Sequence, residues 1–291
     1  MPHAHQVFRP NAALKATLRQ WLAFTPRIWS ASGRVYPPLM RFNQTLRPAA
    51  RKIVERIRPA AIGVFHDWAY LRHNARRQEH LATLGLDLSD KSVLEVAAGI
   101  GDHTTFFLDR GCQVTSTEPR AQNLDVLRRR FLSESAVTVE SLDLDGELPT
   151  DAPRYDVVYC YGALYHLSRP AEAIAWMCDR TEGLLLLETC VSMSTEDSPF
   201  PVNEIASSPS QAITGIGCRP SRVWVMNRLK EKLPYVYVTV TQPWHEEFPL
   251  DWTAARPPSS NGLTRAVFVA SRNRLDLPSL SEELPITQRR C

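Results

Sequence analysis

The sequence predicts an α/β protein: a doubly wound, mostly parallel sheet of seven strands behind a basic, helical N-terminal extension. Three observations carry this. From residue 66 onward, short apolar runs alternate with helix-sized amphipathic segments, the order of right-handed βαβ units. The runs are near-continuously apolar, as in a sheet covered on both faces. The first run, "SVLEVAAGIGDHT" (92–104), opens into a glycine loop, where open α/β sheets place their ligands.

Each element follows from its residues. "DWAYLRHNARRQEHLATLG" sets Trp68, Leu71, Leu81 and Leu84 at roughly helical spacing and stops at Gly85. "SVLEVAA" is the first strand, and "HTTFFLDRG" a helix stopped by Gly111. "CQVTSTEP" is the second strand, followed by the amphipathic helix "AQNLDVLRRRFLS" through Leu124, Leu127 and Phe131. "VTVESLDLD" and "YDVVYCYGAL" are strands three and four; "PAEAIAWMCDRTEG" is a helix and "LLLLETCV" the fifth strand. The alternation then breaks into a polar segment, 192–220, too long for a plain connection in a compact domain. A helix, "SRVWVMNRLKEKL", and two strands, "YVYVTVTQP" and "TRAVFVASRN", close the pattern as a hairpin-like addition at the sheet edge. The expected division is therefore an arm (1–65), a domain (66–275) with 192–220 as an acceptor-site insertion, and a polar tail (276–291) with no clear element.

Composition narrows the function classes. No apolar run is long enough to cross a bilayer. The six cysteines show no CxxC spacing, which argues against a zinc site or redox pair and for a reducing, cytoplasmic setting. The overall charge of +3 hides a partition: residues 1–60 hold eleven Lys and Arg against Glu55 alone, a net +10, so the remainder carries −7. Within the arm, "ALKATLRQWLAF" and "AARKIVERI" suit short amphipathic helices. Such an arm suits an anionic membrane surface, which would make the protein peripheral to the membrane, or RNA, or a mitochondrial address. The plain alternative is a solvated arm packed on the body or on a second subunit of a homodimer.

The glycine loop departs from a dinucleotide fingerprint, because Thr104 stands where a third glycine is wanted after Gly99 and Gly101. Glu95 and Asp102 would also repel a pyrophosphate and favour a cationic ligand. Glu118 ends strand two, 19 residues after Gly99, near where an acid binds ribose hydroxyls. Asp143 follows strand three, placed to accept from an adenine amino group. Any one of these acids is unremarkable at a strand end; three on successive strands beside a glycine loop form a pattern.

"VLEVAAGIGDHT", "VTSTEP", "SLDLD" and "YDVVYCYGALYHL" resemble the successive motifs of class I S-adenosylmethionine-dependent methyltransferases over roughly residues 66–191. The resemblance implies a Rossmann-like methyltransferase sheet and S-adenosylmethionine as cofactor. Where the family has three alternating glycines after the acid, this chain has Ala97, Gly99 and Gly101 after Glu95, so the first is replaced. The resemblance implies that Gly99, Gly101 and Asp102 line the methionine end, Glu118 the ribose, and Asp143 with Leu144 the adenine. "GALYHLSRP" followed by "LLLLETCV" looks like a segment of tRNA wobble-uridine-modifying enzymes and of bacterial small-molecule and sugar methyltransferases.

Transfer to a hydroxyl needs alignment and a base. His166, just past strand four, is the candidate base, set against the plain reading of a packed histidine. Tyr161 and Tyr165 flank it and could wall the sulfonium. Glu188 ends strand five on the same edge and could orient the base, bind acceptor hydroxyls or ligate a divalent metal. "TQPWHEEFPLDW" offers Trp244, His245, Glu246, Glu247 and Asp251, a mixture suited to a sugar. His166, Glu188 and His245 are candidate metal ligands, with Mg²⁺ the ion considered. Arg219 and Arg222 could grip a carboxylate or phosphate, and Arg72, Asn74, Arg76 and Arg77 could form a lid. The leading expectation is methyl transfer to a hydroxyl of a sugar or other polar small molecule. The alternative is an RNA-modifying transferase that uses the basic arm.

Overall fold

A computed structural model of the chain describes residues 63–254 and 262–291. Almost all of the basic arm, with both amphipathic segments, lies outside the described residues. A first helix, α1 (Trp68–Thr83), is capped by the Asp67 carboxylate, which accepts from the Ala69 amide at 2.8 Å. Gly85, just beyond it, takes the left-handed backbone (φ 74°) that ends helices. The parallel half then runs β1 (Ser92–Glu95), α2 (Thr104–Leu108), β2 (Gln113–Thr117), α3 (Ala121–Arg130), β3 (Val137–Glu140), β4 (Tyr155–Tyr161), α4 (Pro170–Asp179) and β5 (Thr181–Cys190).

After β5 the chain forms a small hairpin, β6 (Pro201–Asn203) with β7 (Ile216–Cys218), inside the expected insertion. Then come α5 (Arg222–Lys230), β8 (Tyr235–Thr239), β9 (Thr241–Gln242) and β10 (Arg265–Ser271). The tail is not featureless: it adds β11 (Leu280–Ser281) and β12 (Arg289–Arg290). The main sheet has the order β11-β8-β10-β5-β4-β1-β2-β3, so the seven expected strands gain an eighth, two-residue edge strand. Strands β1 to β5 pair in parallel, whereas β10 is antiparallel to both β5 and β8. The closing pair is thus the expected antiparallel addition. Among the described residues no helix is long and apolar enough to cross a membrane.

Two cores cover the sheet, sorted by the period of two along each strand. Val158, Cys160, Leu185, Leu187 and Phe268 face the side of α4 and α5. Val157, Tyr159, Leu186, Val267 and Val269 face the side of α1 and α2. This double burial is why the strands read as continuous apolar runs. Five of the six cysteines are buried, and burial pushes the Cys160 and Cys190 thiols up to about 12, so they behave as small apolar residues.

Helix α1 departs from the expected apolar stripe. Trp68 is 73% exposed, and the inward face is instead His73, Asn74, Arg77, His80 and Leu81. Over much of its length this helix covers polar groups rather than hydrocarbon.

Gly101, expected at the methionine end of the cofactor, is packed closely against the end of α3. Its φ is 82°, and a Cβ there would lie 2.5 Å from the Phe131 ring and 2.6 Å from Leu127 at the end of α3. Gly101→Ala is expected to destabilise the fold by about 1–3 kcal/mol through positive-φ strain and overpacking. Chemical denaturation of the two proteins measures it, and an unchanged midpoint would contradict this packing.

Candidate active site

A cavity of about 640 Å³ opens at the carboxyl ends of the parallel strands, a size in the range of small-molecule sites. Ala97 and Gly99 after β1, Glu118 after β2, Asp143 and Leu144 after β3, and Tyr161 at the end of β4 all line it. All six are among the residues expected from the sequence to meet the cofactor.

The loop after β1 is built to hold an acid, not a phosphate. Gly99 (φ 62°) donates its amide to Glu118 Oε2 at 3.0 Å. Ala98 N–H is bound to the Thr117 carbonyl and Gly101 N–H to the Ala98 carbonyl. These three amides, which a phosphate cradle would aim at its ligand, are committed inside the protein. Glu118 Oε1 accepts from the Arg120 amide and from Asn123. Burial raises the Glu118 carboxyl, and these hydrogen bonds draw it back only in part. The buried Tyr161 hydroxyl has no hydrogen-bond partner in the protein. A polar, phosphate-free nucleoside with a cationic tail fits this end; a pyrophosphate does not.

Three expected cofactor residues, Gly101, Glu95 and Asp102, do not reach the cavity lining. Glu95 is 2% exposed, and its Oε2 accepts from Thr104 at 2.6 Å and Ser116 at 2.8 Å, tying the start of α2 to β2. Asp102 pairs with Arg130 at 2.6 Å and accepts from Asn74. Both shape the loop from behind, because the chain turns them away from the cavity.

At the other end, His166 closes a single 3-10 turn, Leu164–His166, after β4. Its Nδ1 meets Glu204 Oε2 at 2.5 Å, and Glu204 Oε1 accepts from Arg219 at 3.2 Å. Glu204 stands in the insertion, directly after β6, and the sequence offered no signal for it. Burial lowers the His166 pKa, as do Arg265 and Arg219, and the Glu204 bond offsets this only partly. Burial raises the Glu204 carboxyl, but its bond to His166, with Ala212 N–H and Arg219, brings it below the ordinary value. The pair is therefore a neutral imidazole held by a carboxylate at neutral pH. The insertion also crosses the cofactor end: Arg120 donates to the Ala206 and Gln211 carbonyls, and Asn123 to that of Pro209.

Behind these groups lies a buried ion network. Glu188 is fully buried and accepts from Arg77 of α1 at 2.8 Å and from Arg265 of β10 at 3.0 Å. Arg265 also binds Glu247 through Nε at 2.5 Å and the Tyr165 hydroxyl at 3.2 Å. Glu188 is thus neither a metal ligand nor an acceptor contact, since two guanidiniums hold it outside the cavity lining. Arg77 is no lid, being 4% exposed and locked in this network. Arg265 was legible only as a charge inside the apolar run "RAVFVAS".

The remaining candidates divide. Arg219, His245 and Glu246 line the cavity, with Glu246 paired to Arg72 at 2.8 Å. Arg222 does not: it donates to the Pro285 carbonyl and lies over Trp252 at 3.8 Å, where burial brings it down to about 10. Trp244 is also outside, 55% exposed with its indole N–H on the Cys291 carbonyl. Tyr165, whose ring lies 3.9 Å from that of His166, supplies the aromatic wall instead. His73, His245 and Glu247 are three potential metal donors lying within 4.8 Å of one another. His166, committed to Glu204, and Glu188 are not among them. Two imidazoles suit a first-row transition ion better than Mg²⁺, which prefers oxygen.

Comparison with known proteins agrees with this architecture. Residues 93–181 match the family model described as a methyltransferase domain. A ubiquinone biosynthesis O-methyltransferase of Serratia proteamaculans (strain 568) is 31% identical over 105 residues, 35% of this chain and 43% of that protein. The chain thus spans less than half the length of this curated relative. The N-terminal domain of EvdMO1, crystallised in the presence of SAH and D-fucose, shares the fold with a TM-score of 0.51 at 19% identity, over 69% of this chain and 83% of that one. A Burkholderia thailandensis 1,6-didemethyltoxoflavin-N1-methyltransferase superposes with a TM-score of 0.49 at 18% identity, over 83% of this chain and 95% of that one.

Glu95 gives a test of the loop's construction. Burial pushes its carboxyl up to about 7 in the folded protein, against hydrogen bonds from Thr104 and Ser116 that act to lower it. The folded state therefore binds more protons than the unfolded state between pH 4.5 and 7, and stability falls as pH rises through that window. Relative to Glu95→Gln, the wild type is expected to lose about 1–3 kcal/mol across it. Parallel stability–pH slopes for the two proteins would show that folding leaves the Glu95 pKa unshifted.

Proposed function

We propose that this protein transfers a methyl group from S-adenosylmethionine to a hydroxyl of a sugar or another polar small molecule. One observation carries the reading. His166, held by Glu204, faces the same cavity as the Glu118–Gly99 cradle, so a base and a nucleoside seat share one chamber. S-Adenosylmethionine, when bound, supplies an electrophilic methyl group on a sulfonium that leaves as a neutral thioether. Glu118 would take the ribose hydroxyls, and Asp143 with Leu144 the adenine. The ring of Tyr161 suits the cationic end.

On the acceptor side, a carboxylate only accepts, so His166 Nδ1 carries the proton shared with Glu204, and Nε2 is the basic nitrogen. Nε2 takes the acceptor O–H proton as oxygen forms its bond to the methyl carbon. Glu204 stabilises the imidazolium so formed, and Arg219 keeps Glu204 in place. Tyr165, His245, Arg219 and Glu246 give the acceptor end one aromatic face and several hydrogen-bonding groups, which suits a ring bearing hydroxyls. The presence of D-fucose with the EvdMO1 domain and the O-methyltransferase name of the Serratia relative point the same way.

Calorimetry with S-adenosylmethionine, followed by a labelled-methyl screen over monosaccharides, small hydroxyl compounds and tRNA, tests this reading. Failure to bind the donor at millimolar concentration would overturn it. His166→Ala is expected to lower kcat by roughly 10²–10⁴-fold with donor affinity retained. In Glu204→Gln the imidazole loses the partner that raises its pKa, so the acid limb of kcat/KM should move to lower pH. A limb that stays in place would remove Glu204 from the base's circuit.

The net +10 of residues 1–60 favours a second reading, an RNA acceptor or an anionic membrane held by the arm. Binding through the arm would weaken steeply with salt as counterions are released. Deleting residues 1–60 should then abolish affinity for tRNA or for phosphatidylserine vesicles; unchanged affinity leaves the small-molecule reading alone.

A further inference from the structure

Helix α1 brings His73 to the cavity wall opposite the loop that carries His245 and Glu247. All three side chains line the cavity, and all three residues are buried. His73 Nε2 lies 3.9 Å from Glu247 Oε2, and the two imidazole rings are 4.6 Å apart. His73 Nε2 is fully buried and has no hydrogen-bond partner in the protein. Leaving such a group unmatched costs about 1–3 kcal/mol, so its presence calls for a ligand.

We propose that His73, His245 and Glu247 form a binding site for a first-row transition dication, of which Zn²⁺ is the reference ion, on the acceptor wall of the cavity. The ligand set is the first argument. Two imidazoles and one carboxylate make a three-donor site that leaves further positions open, the arrangement of catalytic rather than structural ions. Distance is the second. Donors about 2.1 Å from one ion stand roughly 3–3.5 Å apart, so the present spacing, within 4.8 Å, closes by modest side-chain rotation. Outer contacts are the third. Arg265 Nε binds Glu247 Oε2, and His245 would ligate through Nε2 as its Nδ1–H tautomer, giving up the 3.3 Å hydrogen bond that Nδ1 accepts from the Glu247 amide. An outer hydrogen bond such as that from Arg265 fixes the direction of a ligating group.

Charge sets the expected strength. Glu188, Glu246 and Glu247 balance Arg72, Arg77 and Arg265 around the site. An ion would enter a neutral shell rather than an acidic one, so affinity should be micromolar rather than picomolar. The open positions face the cavity and would take oxygen donors, such as neighbouring hydroxyls of an acceptor. That use of the ion rests on the function proposed above; its binding does not.

The full chain, freed of metal with EDTA and dialysed, would be titrated with ZnCl₂ by calorimetry and with CoCl₂ by visible spectroscopy. One equivalent of either ion is expected, with cobalt d–d bands and no thiolate charge-transfer band. His73→Ala and His245→Ala should each weaken binding by roughly 100-fold or more while S-adenosylmethionine affinity stays unchanged. Should either variant fail to fold, contact-shifted imidazole N–H resonances from two histidines in the cobalt-loaded wild type serve instead. No saturable binding, binding indifferent to both substitutions, or a thiolate band would overturn the proposal. A protein that binds the donor but no ion defeats this inference alone; one that binds the ion but no donor defeats the methyl-transfer reading alone.

Discussion

Glu188 is the constraint around which the cavity is arranged. A carboxylate at the end of a central strand, sealed from water, is untenable alone, and stripping one partner from such a pair costs about 3–5 kcal/mol. Arg77 and Arg265 supply its two partners from α1 and β10, elements far apart in sequence. Arg265 in turn holds Glu247 and Tyr165, and Arg77 reaches Asn74, which bonds to Asp102 in the glycine loop. One buried acid therefore links the parallel half of the sheet, its antiparallel addition and the first helix. The link is polar, and so it fixes directions as well as distances.

The donor end and the acceptor end differ in how they are made. Glu118, Asp143 and Tyr161 occupy the ends of β2, β3 and β4, or the loops just past them, where topology alone carries them to one edge. The acceptor end is assembled from α1, the 192–220 segment, the 243–252 loop and β10, whose mutual positions depend on tertiary packing. The comparisons divide in the same way: the family match spans 93–181, the stretch that builds the donor end.

This difference explains what could be read from the chain. The parallel half, its helices and the loop were legible because apolar period and glycine placement are local signals. Glu95, Gly101 and Asp102, expected at the cofactor, do not line the cavity. A motif gives position along the chain, whereas the direction of each side chain is settled by Thr104, Phe131 and Arg130. Arg222 and Trp244 were drawn into the site by residue type, and only packing shows them bound to the tail at Pro285 and Cys291. Glu204 was invisible, one acid in a polar stretch. The short tail strands β11 and β12 were equally silent, since two residues of pairing leave no periodic trace.

The insertion has one further consequence. The segment that presents Glu204 to His166 is the same one that Arg120 and Asn123 fasten beside Glu118. One segment therefore fastens both walls, so a change that frees it from Arg120 or Asn123 also loosens Glu204 against His166.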